Sequence, residues 1–173
     1  KHSFRVVTTR KFHLGLHQIA IIINGSEFEK YDLNAFKEVV FCGFGEPLLR
    51  HDDLMEVARY LKNKRSDLMI RINTNGLASV SAKRDITPDF KDLIDTVSIS
   101  LNAPDKQEYY QLTRASFGID SFDYMLDFAK KCKKYVPNVV LTVVDIIGEE
   151  KIAACKKIAD DIGVKLRVRP FEE

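Results

Sequence analysis

Short apolar runs rich in β-branched residues alternate with longer segments of helical periodicity along most of this chain. The predicted strands cover residues 39–42, 68–72, 96–102, 139–144 and 164–169. The predicted helices cover residues 52–64, 89–94, 104–114, 121–135 and 149–162. Because strand–helix alternation of this kind builds a parallel sheet with right-handed crossovers and helices outside, the chain predicts an α/β fold.

The length of 173 residues is enough for one domain with a sizeable core. No internal stretch rich in Gly, Ser or Pro marks a boundary, so we expect a single domain over residues 1–173, with residues 1–30 atypical or incomplete. Residues 4–9 suit a strand. Residues 16–23 suit either a second strand or a buried helical turn. His13 and His17 stand four residues apart, but with no third ligand nearby they are better interpreted as ordinary histidines than as metal ligands.

Composition is that of a soluble globular protein, with 45% apolar and 30% charged residues. The net charge of +2 argues neither for nor against nucleic acid, so such a partner is not indicated. The longest apolar run, Ile19 to Ile23, is too short to cross a bilayer, and we find no secretion signal. The three cysteines, Cys42, Cys132 and Cys155, are widely spaced and odd in number, which is typical of reduced thiols. We therefore expect a cytoplasmic protein without a membrane partner.

The stretch from Val39 to Pro47 combines an apolar strand with two glycines, a carboxylate and a proline. Gly43 and Gly45 allow the backbone to approach a ligand closely, and Glu46 at the mouth of the strand suits a cationic group such as an ammonium. The alternative is a plain turn with a solvated glutamate. A dinucleotide fingerprint fits poorly because Leu48 occupies the position of its third glycine, and no phosphate-loop pattern follows.

Polar side chains follow several predicted strands at their carboxyl ends, where parallel α/β folds bind ligands. These residues are Glu46, Asn73, Asn75, Asn102 and Asp145. Within the third strand, Ser98, Ser100 and Asn102 alternate with apolar residues. Since a parallel strand between two helices is usually apolar on both faces, this alternation indicates a ligand cavity.

These motifs resemble the radical S-adenosylmethionine (SAM) superfamily. Gly43-Phe44-Gly45-Glu46-Pro47 is similar to its glycine-glycine-glutamate-proline motif, with Phe44 in place of the first glycine. Residues 72–76 and 97–103 resemble the next two strands of that family, and residues 112–114 its arginine segment. The resemblance runs from Asp32 to the C-terminus and is closest to the TatD-linked radical SAM proteins, a subgroup of unassigned reaction.

The resemblance implies a partial (β/α)6 barrel, open on one side, with SAM over the strand ends. Gly45 and Glu46 would hold the methionyl ammonium, beside Gly43, and Arg114 would pair with the methionyl carboxylate. The residues facing the ribose, the carboxylate or the substrate would be Asn73, Asn75, Ser98, Ser100 and Asn102. In such enzymes a reduced [4Fe-4S] cluster, supplied with electrons by a reductant, splits SAM to a 5′-deoxyadenosyl radical that removes hydrogen from a substrate. The substrate, a small molecule or a peptide, and the catalytic residues are not indicated.

The family holds its cluster on three cysteines spaced C-x3-C-x2-C, and the chain has no such segment. The lone Cys42 cannot hold four irons, so no metal ligand is assigned. Three explanations stay open: a sequence lacking the cluster loop, a divergent member that binds a ligand without radical chemistry, or an unrelated N-terminal segment. The hypotheses are a radical SAM enzyme and, as the alternative, a SAM- or nucleoside-binding module or inactive fragment.

The final strand carries three cations on one side, Lys165, Arg167 and Arg169. They favour an anionic substrate, or they form the polar face of an edge strand. Both interpretations stay open.

Overall fold

The computed structural model describes residues 20–23, 26–30, 36–43 and 45–171. The chain divides into two compact units, residues 1–37 and residues 38–173. The expectation of one domain with an atypical N-terminus stays a prediction.

In the first unit, β1 (Ala20–Ile23) and β2 (Ser26–Lys30) pair in antiparallel orientation. The part of the predicted segment 16–23 that is described is thus a strand and not a helical turn. Residues 4–9, His13 and His17 lie outside the described residues.

The second unit contains a sheet of five strands in the order β3-β4-β5-β6-β7, and every neighbouring pair is parallel. The strands are β3 (Glu38–Phe41), β4 (Met69–Thr74), β5 (Thr96–Ser100), β6 (Asn138–Val144) and β7 (Lys165–Arg169). The helices are α1 (His51–Lys64), α2 (Ala78–Ser81), α3 (Lys106–Thr113), α4 (Ser121–Cys132) and α5 (Glu149–Ile162). Short 3-10 turns cover Pro47–Arg50, Thr87–Phe90, Gly118–Asp120 and Asp145–Ile147. The predicted α/β fold is confirmed, and the sheet is consistent with a partial barrel.

One face of the sheet forms the core. Residues paired across parallel strands share a face, so the pairing of Ile99 with Leu141 and of Leu141 with Leu166 makes one apolar row. Ile99 and Leu141 are fully buried. Helices α4 and α5 pack against β5, β6 and β7, which explains this burial.

The opposite face is polar and less buried. Asn73 pairs with Ser98, and Ser98 with Val140, so these side chains share this open face. Ser100 shares it with Thr142, which is the exception in being buried, with its hydroxyl donating to the Ile99 carbonyl. Asn73 is exposed, and Ser98 is half-buried. The alternation that predicted a cavity therefore corresponds to a sheet whose described helices pack on one face.

Helix α1 shows how the sequence produces the covered face. Its buried residues include Leu54, Ala58 and Leu61, spaced by four and three positions so that they form one stripe. Helix α5 ends where Gly163, at φ +69°, takes the left-handed conformation of a C-terminal cap. Both helices end where the sequence predicts.

The predicted helix over residues 89–94 is wrong. The structure has a 3-10 turn over Thr87–Phe90, followed by irregular backbone. Phe90 and Ile94 are both buried, which produced the helical pattern, but Asp92 between them has φ +61°. A left-handed residue cannot continue a right-handed helix.

Among the described residues, no helix has the length and apolar character needed to span a membrane.

Truncation of Leu141 to alanine tests the covered face. Leu141 is fully buried in β6, so Leu141→Ala should lower the free energy of unfolding by about 2–5 kcal/mol in urea denaturation. The control is Val168→Ala in β7, where the side chain is 42% exposed and the loss should stay below about 1 kcal/mol. Equal losses for the two variants would contradict the one-sided core.

Candidate functional site

Three hydrogen bonds hold the Glu46 carboxylate at the carboxyl end of the sheet. Its Oε1 accepts from Thr74 Oγ1 at 2.7 Å and from the Leu48 backbone N–H at 3.1 Å. Its Oε2 accepts from the Asn75 backbone N–H at 2.7 Å. The side chain thereby joins the end of β3 to the end of β4. Since a carboxylate offers about four lone-pair sites, it can still accept from a ligand.

The local sequence places this carboxylate. Glu46 is the N-cap of the turn Pro47–Arg50, where its bond to Leu48 satisfies a free backbone donor. Pro47 follows at the first position of the turn, where its fixed φ is favourable. Gly43 and Gly45 are exposed, and a Cβ on either would have no described atom within 4 Å. A ligand therefore has room to approach the backbone beside Glu46.

The loop after β4 forms the second wall of the site. The Asn75 Oδ1 accepts from the Leu77 backbone N–H at 2.9 Å, which leaves the amide donors of Asn75 available. Gly76 has φ +77°, and a Cβ there would lie 3.1 Å from both Ile99 and Met125. This glycine is required both by its backbone conformation and by the close approach of α4.

Helix α3 forms the third wall. Asp105 Oδ1 accepts from the backbone N–H groups of Gln107 and Glu108, which fixes the start of the helix. The helix ends at Arg114, whose φ of +48° is left-handed. Asn102, at the end of β5, also has a positive φ, +63°. Strained backbone at non-glycine residues is concentrated at functional sites, and both of these residues face the same cavity.

That cavity has a volume of about 270 Å³ and brings together residues from the ends of β3, β4 and β5 and from α3. Its lining includes four of the predicted site residues, Glu46, Asn75, Asn102 and Arg114. The other five lie outside the lining: Gly43 and Gly45 precede Glu46 along the chain, and Asn73, Ser98 and Ser100 lie on the open face of the sheet.

Sequence reasoning missed several lining residues, among them Tyr109 and Thr113 of α3. These two are four residues apart on α3, so they share a face of the helix directly before Arg114. That spacing was the signal in the sequence that could have placed both residues in the site, but it indicates equally well a stripe of residues that faces the core. Burial, and secondly the nearby negative charge of Glu46, raise the pKa of Tyr109, so its hydroxyl stays protonated as a donor.

Two opposite charges of the cavity have no ionic partner in the described part of the chain. Neither the Glu46 carboxylate nor the Arg114 guanidinium lies within ion-pair distance of an opposite charge there. At the other end of the sheet, in contrast, Lys62 Nζ lies 2.8 Å from Asp95 Oδ2 and the charges are paired. A cavity with an unpaired anion and an unpaired cation is complementary to a zwitterion.

A second, wider cavity of about 530 Å³ lies beside the first and shares Leu49, Ala78 and Ser81 with it. Its charged residues are already paired. His51 Nε2 lies 2.8 Å from Asp89 Oδ2, and Arg84 lies 2.9 Å from the same carboxylate. It offers a ligand less uncompensated charge than the first cavity.

The charges of the first cavity suit the methionyl part of SAM, a zwitterion whose ammonium would find a carboxylate with free acceptor capacity. Arg114 would meet the methionyl carboxylate. A [4Fe-4S] cluster does not fit the residues present. Cys42 is exposed, whereas Cys132 and Cys155 are buried and belong to α4 and α5. No three His, Cys, Asp or Glu side chains are grouped to hold a metal ion anywhere in the described ranges.

Burial also makes two of the thiols poor ligands. It raises the pKa of Cys132 strongly and that of Cys155 to about 11. Because the thiolate is the form that binds metal, these two cysteines stay protonated and inert at neutral pH.

Replacement of Gly76 tests the close packing beneath the site. Gly76→Ala should lower the free energy of unfolding by about 2 kcal/mol, because alanine is strained at positive φ and its Cβ crowds Ile99. The matched control is Gly45→Ala, where a Cβ has no described neighbour within 4 Å and stability should be unchanged. Urea denaturation of both variants measures the difference, and an unaffected Gly76→Ala would contradict the described loop.

Thiol labelling tests whether Cys42 is accessible while Cys132 and Cys155 are buried. In the folded protein at neutral pH, Ellman's reagent should react with Cys42 alone, because the other two thiols are buried and protonated. In urea all three cysteines should react. Rapid reaction of Cys132 or Cys155 in the folded protein would contradict their structural role, and Cys42→Ser is the control that should abolish native labelling.

A comparison with curated proteins gave no match. Residues 1–36 match the family model described as "Uncharacterised protein YhaZ, C-terminal Ig-like domain", a small part of the chain. Residues 25–162 match the model of the radical SAM superfamily. Because this second match covers well over half of the chain, the protein belongs to the radical SAM superfamily, whose common feature is radical chemistry that depends on SAM.

Proposed function

We propose that the cavity between Glu46 and Arg114 binds the methionyl group of SAM. One observation carries the proposal: two opposite charges without described partners line a single cavity at the carboxyl end of the sheet. The Glu46 carboxylate and the backbone at Gly45 would hold the ammonium. Arg114 would take the carboxylate through forked N–H donors.

The remainder of SAM would extend from the cavity over the strand ends. A volume of about 270 Å³ falls just below the roughly 300–1,000 Å³ typical of small-molecule sites, so the cavity suits part of the molecule. Asn75 and Asn102 line the cavity and are proposed to contact the ribose or the carboxylate. Gly43 would border the ligand, and the open-face residues proposed to face the ribose or the substrate are Asn73, Ser98 and Ser100.

The reaction proposed is that of the superfamily, in which a 5′-deoxyadenosyl radical from SAM removes hydrogen from a substrate. The similarity to TatD-linked members belongs to the same proposal. In that reaction a [4Fe-4S] cluster with its reductant would supply the electron for cleavage, and the three free cysteines do not form a site for such a cluster. We therefore assign to this chain the binding and orientation of SAM, and the reaction requires cluster ligands other than these cysteines.

The position of the cysteines also favours a second candidate, a module that binds SAM or a nucleoside without radical chemistry. Cys132 and Cys155 lie buried in separate helices, and Cys42 alone is accessible. After anaerobic treatment with iron, sulfide and a reductant, formation of 5′-deoxyadenosine from SAM would support the enzyme. Binding of SAM without that product would support the binding module.

Calorimetry with SAM tests the cavity itself. Glu46→Gln and Arg114→Gln should each weaken SAM binding roughly 10- to 100-fold, because each removes a charge-assisted interaction. Glu56→Gln and Arg59→Gln are the matched controls, since both residues are exposed on α1 and neither lines the cavity. Circular dichroism of each variant should match the parent protein.

Arg114→Gln is the decisive variant if Glu46→Gln perturbs the fold, because Glu46 also joins two strand ends. Methionine should compete with SAM for the cavity. Failure of the parent protein to bind SAM would overturn the proposal, and adenosine binding that is insensitive to both substitutions would favour the nucleoside-binding alternative.

A further inference from the structure

Three cations lie on one side of the edge strand β7. Lys165, Arg167 and Arg169 alternate with Leu166 and Val168, and side chains two residues apart on a strand point to the same face. All three cations are exposed. Their Cα atoms span about 13 Å along the strand.

The register shows that these cations lie on the open face of the sheet. Arg167 pairs with Thr142, and Thr142 pairs with Ser100, so the three residues form one row. Lys165 pairs with Val140, in the row of Ser98. The cations therefore face the same side as the hydroxyls, whereas Leu166 lies in the buried row of Leu141 on the other face.

No acidic side chain neutralises these cations within the described ranges. Cations on the outer helices, in contrast, are neutralised, because Lys131, Lys151 and Lys156 each pair with a carboxylate. Asp145 directly follows Val144, the residue of β6 that pairs with Arg169. Its Oδ1 accepts the Phe171 backbone N–H at 2.9 Å, so it is held by the backbone.

Edge protection alone does not account for this pattern. A charged side chain on an edge strand prevents pairing with other chains, and lysine is the usual residue. Two of the three cations are arginines, whose planar forks match phosphate and carboxylate groups. The same face carries the hydroxyls of Ser98 and Ser100 on β5, whereas the Thr142 hydroxyl of β6 is buried and donates to the Ile99 carbonyl.

We propose that the open face of β7 binds the anionic part of the substrate, a phosphate group or clustered carboxylates. Arg167 and Arg169 would provide forked donors, and Lys165 a point charge. The inference rests on the proposed function, since it takes SAM to occupy the ends of β3, β4 and β5. The lining of the SAM cavity contains no residue of β6 or β7, so the proposed SAM site leaves the cations of β7 for a second molecule.

The spacing of the strands suits two adjacent ligands. Neighbouring strands lie about 4.8 Å apart, so β5 and β7 are separated by roughly 10 Å. An anion on β7 would thus leave the rest of the substrate pointing across Thr142 and Ser100 toward the SAM cavity. The positive face selects the substrate by charge and sets its orientation.

Calorimetry of the full chain with pyrophosphate and, separately, with citrate tests this inference. Pyrophosphate represents the phosphate source and citrate the carboxylate source. The double variant Arg167→Gln/Arg169→Gln should weaken binding of the preferred anion roughly 10-fold or more. Higher ionic strength should weaken binding in the parent protein. All of these side chains are exposed, so the variants should fold normally.

The matched control is Lys157→Gln, a loss of positive charge on the outer surface of α5, where the side chain is 81% exposed. Its anion affinity should equal that of the parent. Absence of binding for both anions, an unaffected double variant, or equal losses in the control would each overturn the inference. SAM affinity should be unchanged in the double variant.

The outcome also separates this inference from the proposed function. If the parent protein binds the anion through Arg167 but binds no SAM, the proposed function fails, and β7 is an anion site without a substrate role.

Discussion

Among the described residues, the helices that pack on the parallel sheet cover one of its faces, and the functional features of the sheet depend on that asymmetry. Buried aliphatic rows such as Ile99 and Leu141 hold the sheet against α4 and α5. The opposite face does not have to be apolar, so hydroxyls, amides and cations can occupy it. The same parallel arrangement brings the carboxyl ends of the strands to one edge, where the loops that form the cavity start.

Charges at the two ends of the sheet have different roles. At the amino-terminal end, Lys62 is paired with Asp95, and Asp95 also accepts the Ile70 backbone N–H at 2.6 Å. This cluster is internally satisfied and stabilises the fold. At the carboxyl end, Glu46 is oriented by neutral donors and keeps its charge uncompensated among the described residues, as does Arg114 across the cavity. An oriented charge without a partner is suited to binding, because a ligand supplies the missing opposite charge.

Membership of the radical SAM superfamily defines the general chemistry, and the cysteines limit what these residues contribute to it. Two of them are packing residues of α4 and α5 with raised pKa, and the third is a lone accessible thiol. The SAM-binding half of such a site and its cluster-binding half are therefore separable in physical terms. In the proposed site, Glu46 and Arg114 would act through charge and hydrogen bonds that require no metal.

Local sequence determined the order of strands and helices, because apolar periodicity and caps such as Gly163 act within a few residues. It also identified Glu46, whose neighbours Gly45 and Pro47 mark a special turn. The helix expected at 89–94 shows the limit of that reasoning, since two buried residues at helical spacing do not reveal the left-handed Asp92 between them. Only the tertiary structure decided that Thr74 and Asn75 hold Glu46, that Tyr109 shares its cavity, and that the β7 cations lie on the open face. These facts depend on strand register and on contacts between distant residues, which a pattern along the chain does not contain.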